Sequence, residues 1–170
     1  ERLVEGTKRA VGDQWEFYAE PRPVPEDRIE TFADGDVVDL GTHELRVHDA
    51  PGHAPHQSVF HDPANDAVFT ADAAGIYVPD QDAVHVTSPP PNFDLEQCLA
   101  DVRTIRGLDP ETLLYAHFGP AETDARLTEY ADVLSAWVAD VRALRRDLDD
   151  DEAVVDHFAD RAVDIVGDEW

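Results

Sequence analysis

The 170-residue chain has no methionine, one cysteine and, at Lys8, one lysine. A single cysteine excludes any internal disulfide. Cys98 stands in Gln97-Cys98-Leu99, on an amphipathic helix pattern with no histidine or basic residue beside it, so it reads as a packing residue and not a reactive thiol. No apolar run approaches the roughly 20 residues of a membrane helix, and no basic-then-apolar leader opens the chain, so the expected location is cytoplasmic, with no membrane partner. Glu1 leads straight into the helix-like run Arg2 to Gly12. With methionine absent, the expectation is a chain that begins inside a longer polypeptide.

Basic charge is scarce as well: 13 Lys and Arg stand against 38 Asp and Glu, a formal net charge of −25. Nucleic acid would be repelled over most of such a surface, and the nearest basic patch, Arg142, Arg145 and Arg146, runs at once into Asp147 and Asp149 to Glu152. Acid spread over the whole chain, with arginine preferred to lysine, reads as adaptation to high salt, where counterions screen self-repulsion. The 42% hydrophobic content suffices for one sizeable core.

Arg2 to Trp15 is helix-like, and Pro21, Pro23 and Pro25 force an extended connection after it. Strands are expected at Val37 to Leu40, Glu44 to His48, Ser58 to His61, Ala67 to Thr70 and Thr112 to Tyr115, the first four forming hairpins through Gly41-Thr42 and Asp62-Pro63-Ala64-Asn65-Asp66. Gly75 to Phe93, with Pro79, Pro89, Pro90 and Pro91 and no sustained period, reads as a long surface loop. Asp94 and Gln97 resemble a capping box opening a helix with Leu95, Leu99, Val102 and Ile105 on its apolar face, closed by Gly107. From Thr123 a long helix follows, with Leu127, Tyr130, Leu134, Trp137, Val138, Val141, Leu144 and Leu148 on one side. After the acidic break Asp149 to Glu152, a last helix carries Val154, Val155, Phe158, Ala162 and Ile165. This order predicts a layered α/β domain: residues 1–120 form the sheet-bearing part, and 121–170 a helical extension packed on it.

Three segments place a metal-ligand side chain just past a strand-like run. They are Ala50-Pro51-Gly52-His53-Ala54-Pro55-His56, Phe69-Thr70-Ala71-Asp72 and Leu114-Tyr115-Ala116-His117-Phe118-Gly119. Imidazole and carboxylate are the donors zinc and its divalent neighbours take when thiolate is absent. A loop histidine is usually only solvated, and an aspartate at a turn is usually a cap; the common placement of the three at strand ends is what points to one sheet edge. His43, His48, His61 and His157 read as solvated or packed, whereas His56 and Tyr77, close in sequence to His53 and Asp72, are candidates for lining a substrate pocket.

In these motifs, their order and their spacing, the chain from about Asp34 to Pro120 resembles the metallo-β-lactamase fold superfamily of binuclear metal hydrolases. Pro51-Gly52-His53 is similar to the family's third histidine motif, Thr70-Ala71-Asp72 to its bridging-aspartate motif and Ala116-His117-Phe118-Gly119 to its last histidine motif. The resemblance implies the C-terminal part of an αββα sandwich with C-terminal helices. It also implies two divalent ions, zinc first with manganese or iron as alternatives, His53 on one ion, His117 on the other and Asp72 bridging both. The implied reaction is hydrolysis of a small ester, thioester or lactone through a metal-bridging hydroxide, so Asp72 is also the catalytic candidate.

The chain departs from the family in three places. H-x-H-x-D-H is absent, since no two of the eight histidines stand one residue apart; Ala71 replaces the glycine that commonly precedes the aspartate; and Pro55-His56 replaces the usual second Gly-His step. One histidine and a shared carboxylate per ion fall short of the three protein ligands zinc sites use, so the chain alone is expected to bind metal poorly and to hydrolyse nothing. Half an αββα sandwich would also expose apolar surface, which leaves association with a second copy open. The competing reading is a non-catalytic fold relic or association module, and the sequence upstream of Glu1 would discriminate: H-x-H-x-D-H there favours the enzyme, a start codon favours the module.

The charge makes its own prediction. With 38 carboxylates on one chain, the unfolding midpoint is expected to rise from low to molar potassium chloride as repulsion is screened. A midpoint that stays flat or falls across a salt series would remove the halophilic reading.

Overall fold

The computed structural model describes residues 2–87, 92–123, 125–148 and 150–166, in two compact units, up to Thr31 and from Phe32 onward. In the first unit, α1 (Arg2–Val11) runs into a 3-10 turn, Gly12–Phe17. Helix geometry thus tightens three residues before the expected end at Trp15, at Gly12 with its positive φ of 54°. Trp15 stacks on Tyr18 at 5.5 Å and receives the Lys8 ammonium over its face at 4.9 Å.

The second unit is built on β1 (Val37–Asp39), β2 (Glu44–Asp49), β3 (Ser58–Asp62), β4 (Ala67–Ala71), β7 (Thr112–Tyr115) and β8 (Pro120–Glu122), which hydrogen-bond in that order as one sheet. All neighbours are antiparallel except β4 and β7, which run parallel. Parallel strands need a crossover. Here it carries a small antiparallel pair, β5 (Ile76–Val78) and β6 (Ala83–His85), and then α2 (Leu95–Gly107). The expected surface loop from Gly75 to Phe93 is thereby corrected over 76–85: two three-residue strands around Pro79 are too short to show a period. Pro89, Pro90 and Pro91 lie outside the described residues. β8 went unexpected because it opens on a proline, which a strand at the sheet's edge tolerates.

One face of the sheet is covered by α2 and α3 (Arg126–Leu148): Val59, Val68 and Leu113 pack with Val102, Ile105, Leu127, Tyr130 and Leu134 in a single buried cluster. On α2 the buried positions are Cys98, Asp101, Val102 and Ile105. The stripe is therefore centred nearer Cys98 than Leu99, and it contains a carboxylate. Asp94 caps α2 as expected, accepting from Gln97 N–H at 3.0 Å. The box is only half made, because the Gln97 amide turns to Asp101 (2.9 Å) and the Asp94 N–H goes to the Gly52 carbonyl (2.9 Å). α4 (Asp151–Val166) follows, with Trp137 against Phe158 at 6.1 Å; Asp149 lies outside the described residues. The sheet's opposite face presents the registered row Val47, Phe60, Phe69 and Leu114, where Phe69 is 43% exposed. No helix among the described residues is long and apolar enough to cross a membrane.

On β3, His61 lies opposite Arg46, with the His48 ring 6.3 Å away. Burial, then the charges of His48 and Arg46, hold its imidazole below the ordinary 6.5, although Asp62 and Asp66 pull the other way. A depressed folded-state value means that the unfolded chain takes up this proton first. The contribution is whole above about pH 6.5 and is lost as pH falls through the folded value. Denaturant midpoints of His61→Gln are expected to fall less steeply on acidification than those of the unsubstituted chain; parallel acid limbs would contradict this.

Candidate metal centre

Strand direction decides where the candidate ligands emerge. β2 is antiparallel to β3, β3 to β4, and β4 is parallel to β7, so β2, β4 and β7 all point the same way and end at one edge of the sheet. His53, Asp72 and His117 follow the ends of those three strands. The structure brings them together: His53 Nε2 lies 3.7 Å from Asp72 Oδ2, and His117 Nε2 lies 3.7 Å from Asp72 Oδ1. Asp72 stands between two imidazoles, one on each oxygen.

Local backbone aims each side chain. Between Phe69 and Ala71 the β4–β7 register shifts, a bulge that leaves Thr70 unpaired. Ala71 adopts a positive φ of 46° and Gly75 one of 79°, so the chain turns sharply at Asp72. Bulges of this kind re-aim side chains beside functional sites. A left-handed conformation costs alanine about 1 kcal/mol that glycine does not incur, which explains why glycine suits the position before the aspartate. At the third segment, Phe118 (φ 67°) and Gly119 (φ 112°) swing the chain from β7 into β8.

His53 is the most tightly held of the three. Its ring Nδ1 is 3.0 Å from the hydroxyl of Thr87, a buried residue just past β6. Before it, Gly52 presses against α2: its N–H donates to Asp101 Oδ2 at 2.7 Å, and a Cβ at this position would stand 2.2 Å from the backbone nitrogen of Cys98. Burial pushes the Asp101 carboxyl up, against the pull of its hydrogen bonds from Gln97 and Gly52. Burial likewise pushes the Cys98 thiol up to about 12, which agrees with packing and not reactivity. Sequence reasoning missed Thr87 and Asp101. The only available signal was an acid on the apolar stripe of α2.

Two further candidates fare differently. His56 is exposed and hydrogen-bonds to none of the three among the described residues. Tyr77 donates its hydroxyl to Asp82 at 2.9 Å, has its ring under the Arg126 guanidinium (4.9 Å) and helps line a cavity of about 380 Å³ with Asp82, Ala121, Glu122, Ala125 and Arg126. His53, Asp72 and His117 are not among the residues lining it. Among the remaining histidines, His43 pairs with the buried Asp62 at 3.2 Å and His48 packs beside His61, both structural placements.

The donor set suits divalent metal. Two donors about 2.0 Å from one tetrahedral zinc lie about 3.3 Å apart, so 3.7 Å between each imidazole nitrogen and its facing carboxylate oxygen is close to what a shared ion needs. Thr87 at Nδ1 provides the outer contact that ligating histidines usually have. Among the described residues no three His, Cys, Asp or Glu side chains gather around a single point.

The sequence pattern of the metallo-beta-lactamase superfamily matches residues 2–117. Among solved structures, an archaeal metallo-beta-lactamase superfamily protein from Sulfolobus tokodaii is similar at 24% identity and a TM-score of 0.66, over 77% of this chain and 49% of that one. A metallo-beta-lactamase family protein from Thermus thermophilus is similar at 20% identity and a TM-score of 0.53, over 88% and 50%. The likeness at these identities is one of fold, and the chain spans about half the length of each of these structures. Comparison with curated proteins returns no match.

The packing at Gly52 predicts a large effect from a small change. Gly52→Ala drives a methyl into backbone, which cannot rotate away, and is expected to cost about 3 kcal/mol or more of stability. An alanine variant that unfolds at the same denaturant concentration would show that the turn does not press on α2 as described.

Proposed function

The chain belongs to the metallo-beta-lactamase superfamily, and from that premise we propose that it carries the His53, Asp72 and His117 share of a binuclear metal hydrolase acting on a small ester, thioester or lactone. Members of the superfamily are generally hydrolases that bind divalent metals, often zinc. The observation supporting the reading is the Asp72 carboxylate with one oxygen turned to each imidazole at 3.7 Å.

In this reading His53 and Asp72 would hold one ion, and His117 and Asp72 the other. Two bound ions would supply an acidified water and positive charge for the developing oxyanion. The chain's own residues set the geometry and the access. His53 is largely covered, with its side chain 13% exposed, whereas His117 is 51% exposed, so substrate approaches from the His117 side. Phe118, 66% exposed beside His117, offers an apolar surface at that entrance. The acidic surface disfavours polyanionic substrates such as nucleic acid.

The remaining ligands in the family come from H-x-H-x-D-H. The test therefore compares this chain with one that also carries such a segment on its N-terminal side, by zinc and manganese content and by thioester hydrolysis. The extended chain is expected to bind two ions and turn over substrate, the short one to do neither efficiently. Asp72→Ala should lower the extended chain's rate on the order of 100-fold or more, since even loss of an outer-sphere contact to a ligand costs about 10–100-fold. Equal hydrolysis by both chains, or full activity in the alanine variant, would sink the mechanism. Two chains that take up no metal would favour the non-catalytic module.

A further inference from the structure

Asp101 is 2% exposed on the sheet-facing side of α2, among Cys98, Val102 and Ile105. Among the described residues no Lys, Arg or His lies within ion-pair distance of it. A buried carboxylate without a cation is costly, and an apolar residue there would serve the core better. What the carboxylate does is specific. One oxygen accepts from Gly52 N–H at 2.7 Å, and the other is held by the Gln97 amide at 2.9 Å. The Gly52 carbonyl in turn accepts from the Asp94 N–H at the start of α2. Both backbone groups of the residue before His53 are therefore fastened to one helix. The ring is held separately, from another element, by Thr87 at Nδ1.

We propose that Asp101 and Thr87 are positioning residues for His53: Asp101 fixes the backbone through Gly52, Thr87 fixes the ring at Nδ1, and together they keep Nε2 opposite Asp72. The purpose assigned to this clamp rests on the reading of His53 as a metal ligand, whereas the clamp itself does not. A loop histidine with free χ angles would sample many orientations; one tied at the backbone and at the far ring nitrogen presents a single donor direction, so less ordering remains for metal binding to impose.

The test uses the full 170-residue chain by NMR, with Asp101→Ala, Asp101→Asn, Thr87→Val and Thr87→Ser. In Asp101→Ala the Gly52 amide is expected to exchange with solvent at least about tenfold faster relative to core amides such as Val68, while Asp101→Asn, which keeps an acceptor, restores protection. Thr87→Val should leave Gly52 protected but spread the His53 ring signals over several orientations, and Thr87→Ser should restore one. Zinc titrated into the extended chain carrying the same substitutions should bind about 10–100-fold more weakly at His53 in Asp101→Ala and Thr87→Val. Exchange at Gly52 and ring signals unchanged in both variants would overturn the proposal, as would exchange accelerated equally at Gly52 and Val68, the mark of a merely structural aspartate. If the unsubstituted extended chain takes no zinc at His53, the ligand reading fails while exchange and ring order still decide the clamp. If exchange and ring order change as expected but the variants bind zinc as tightly as the unsubstituted extended chain, the positioning role fails and the ligand reading stands.

Discussion

The parallel pairing of β4 with β7 is the constraint on which the candidate centre depends. Had the crossover returned the chain antiparallel, Asp72 and His117 would leave opposite edges of the sheet, separated by the length of a strand. Parallel pairing obliges the intervening chain to climb back over one face, and α2 makes that return. The same helix buries Val102 and Ile105 against Val68 and Leu113, so the element that creates the topology also supplies much of the core. It then holds the His53 turn through Asp94 and Asp101. Topology, stability and ligand placement thus share one helix.

Much of this was legible in the sequence because the signals were local. Alternating runs ending in Pro-Gly-His, Thr-Ala-Asp and Ala-His-Phe-Gly marked the strand ends, and a capping aspartate marked the start of α2. What stayed hidden was long-range or too short to have a period. The β5–β6 pair rests on strands of three residues, and β8 begins on proline, so neither carries the alternation that identifies a strand. Thr87 is an ordinary threonine until the chain folds and places it 3.0 Å from a ring 34 positions earlier. Asp101 did leave a trace. It breaks the apolar stripe of α2, and an acid at a buried helical position asks what it accepts from.

The family pattern and the sheet geometry support each other in a way that neither does alone. Motif order places three donors at strand ends but says nothing about direction; the registers supply direction, and the separations of 3.7 Å supply proximity. The departures from the pattern also acquire physical content. Alanine stands at position 71 in a left-handed conformation that glycine would adopt without strain. That strain is tolerated because the bulge, the hydrogen bond from Ala73 N–H to the Thr70 carbonyl and the buried Ala73 and Ala74 over-determine the turn.

The three donors are held unequally, and the inequality has a direction. His53 is fastened at backbone and ring and is largely covered, whereas His117 stands two residues past the end of β7 and is followed by a strained, exposed step at Phe118. Asp72 lies between them, its carboxylate 29% exposed. A gradient from rigid to open across one carboxylate separates two tasks that a single stiff site would force together. In the proposed hydrolase the covered side would fix where the first charge sits, and the exposed side would leave room for a substrate to approach the second.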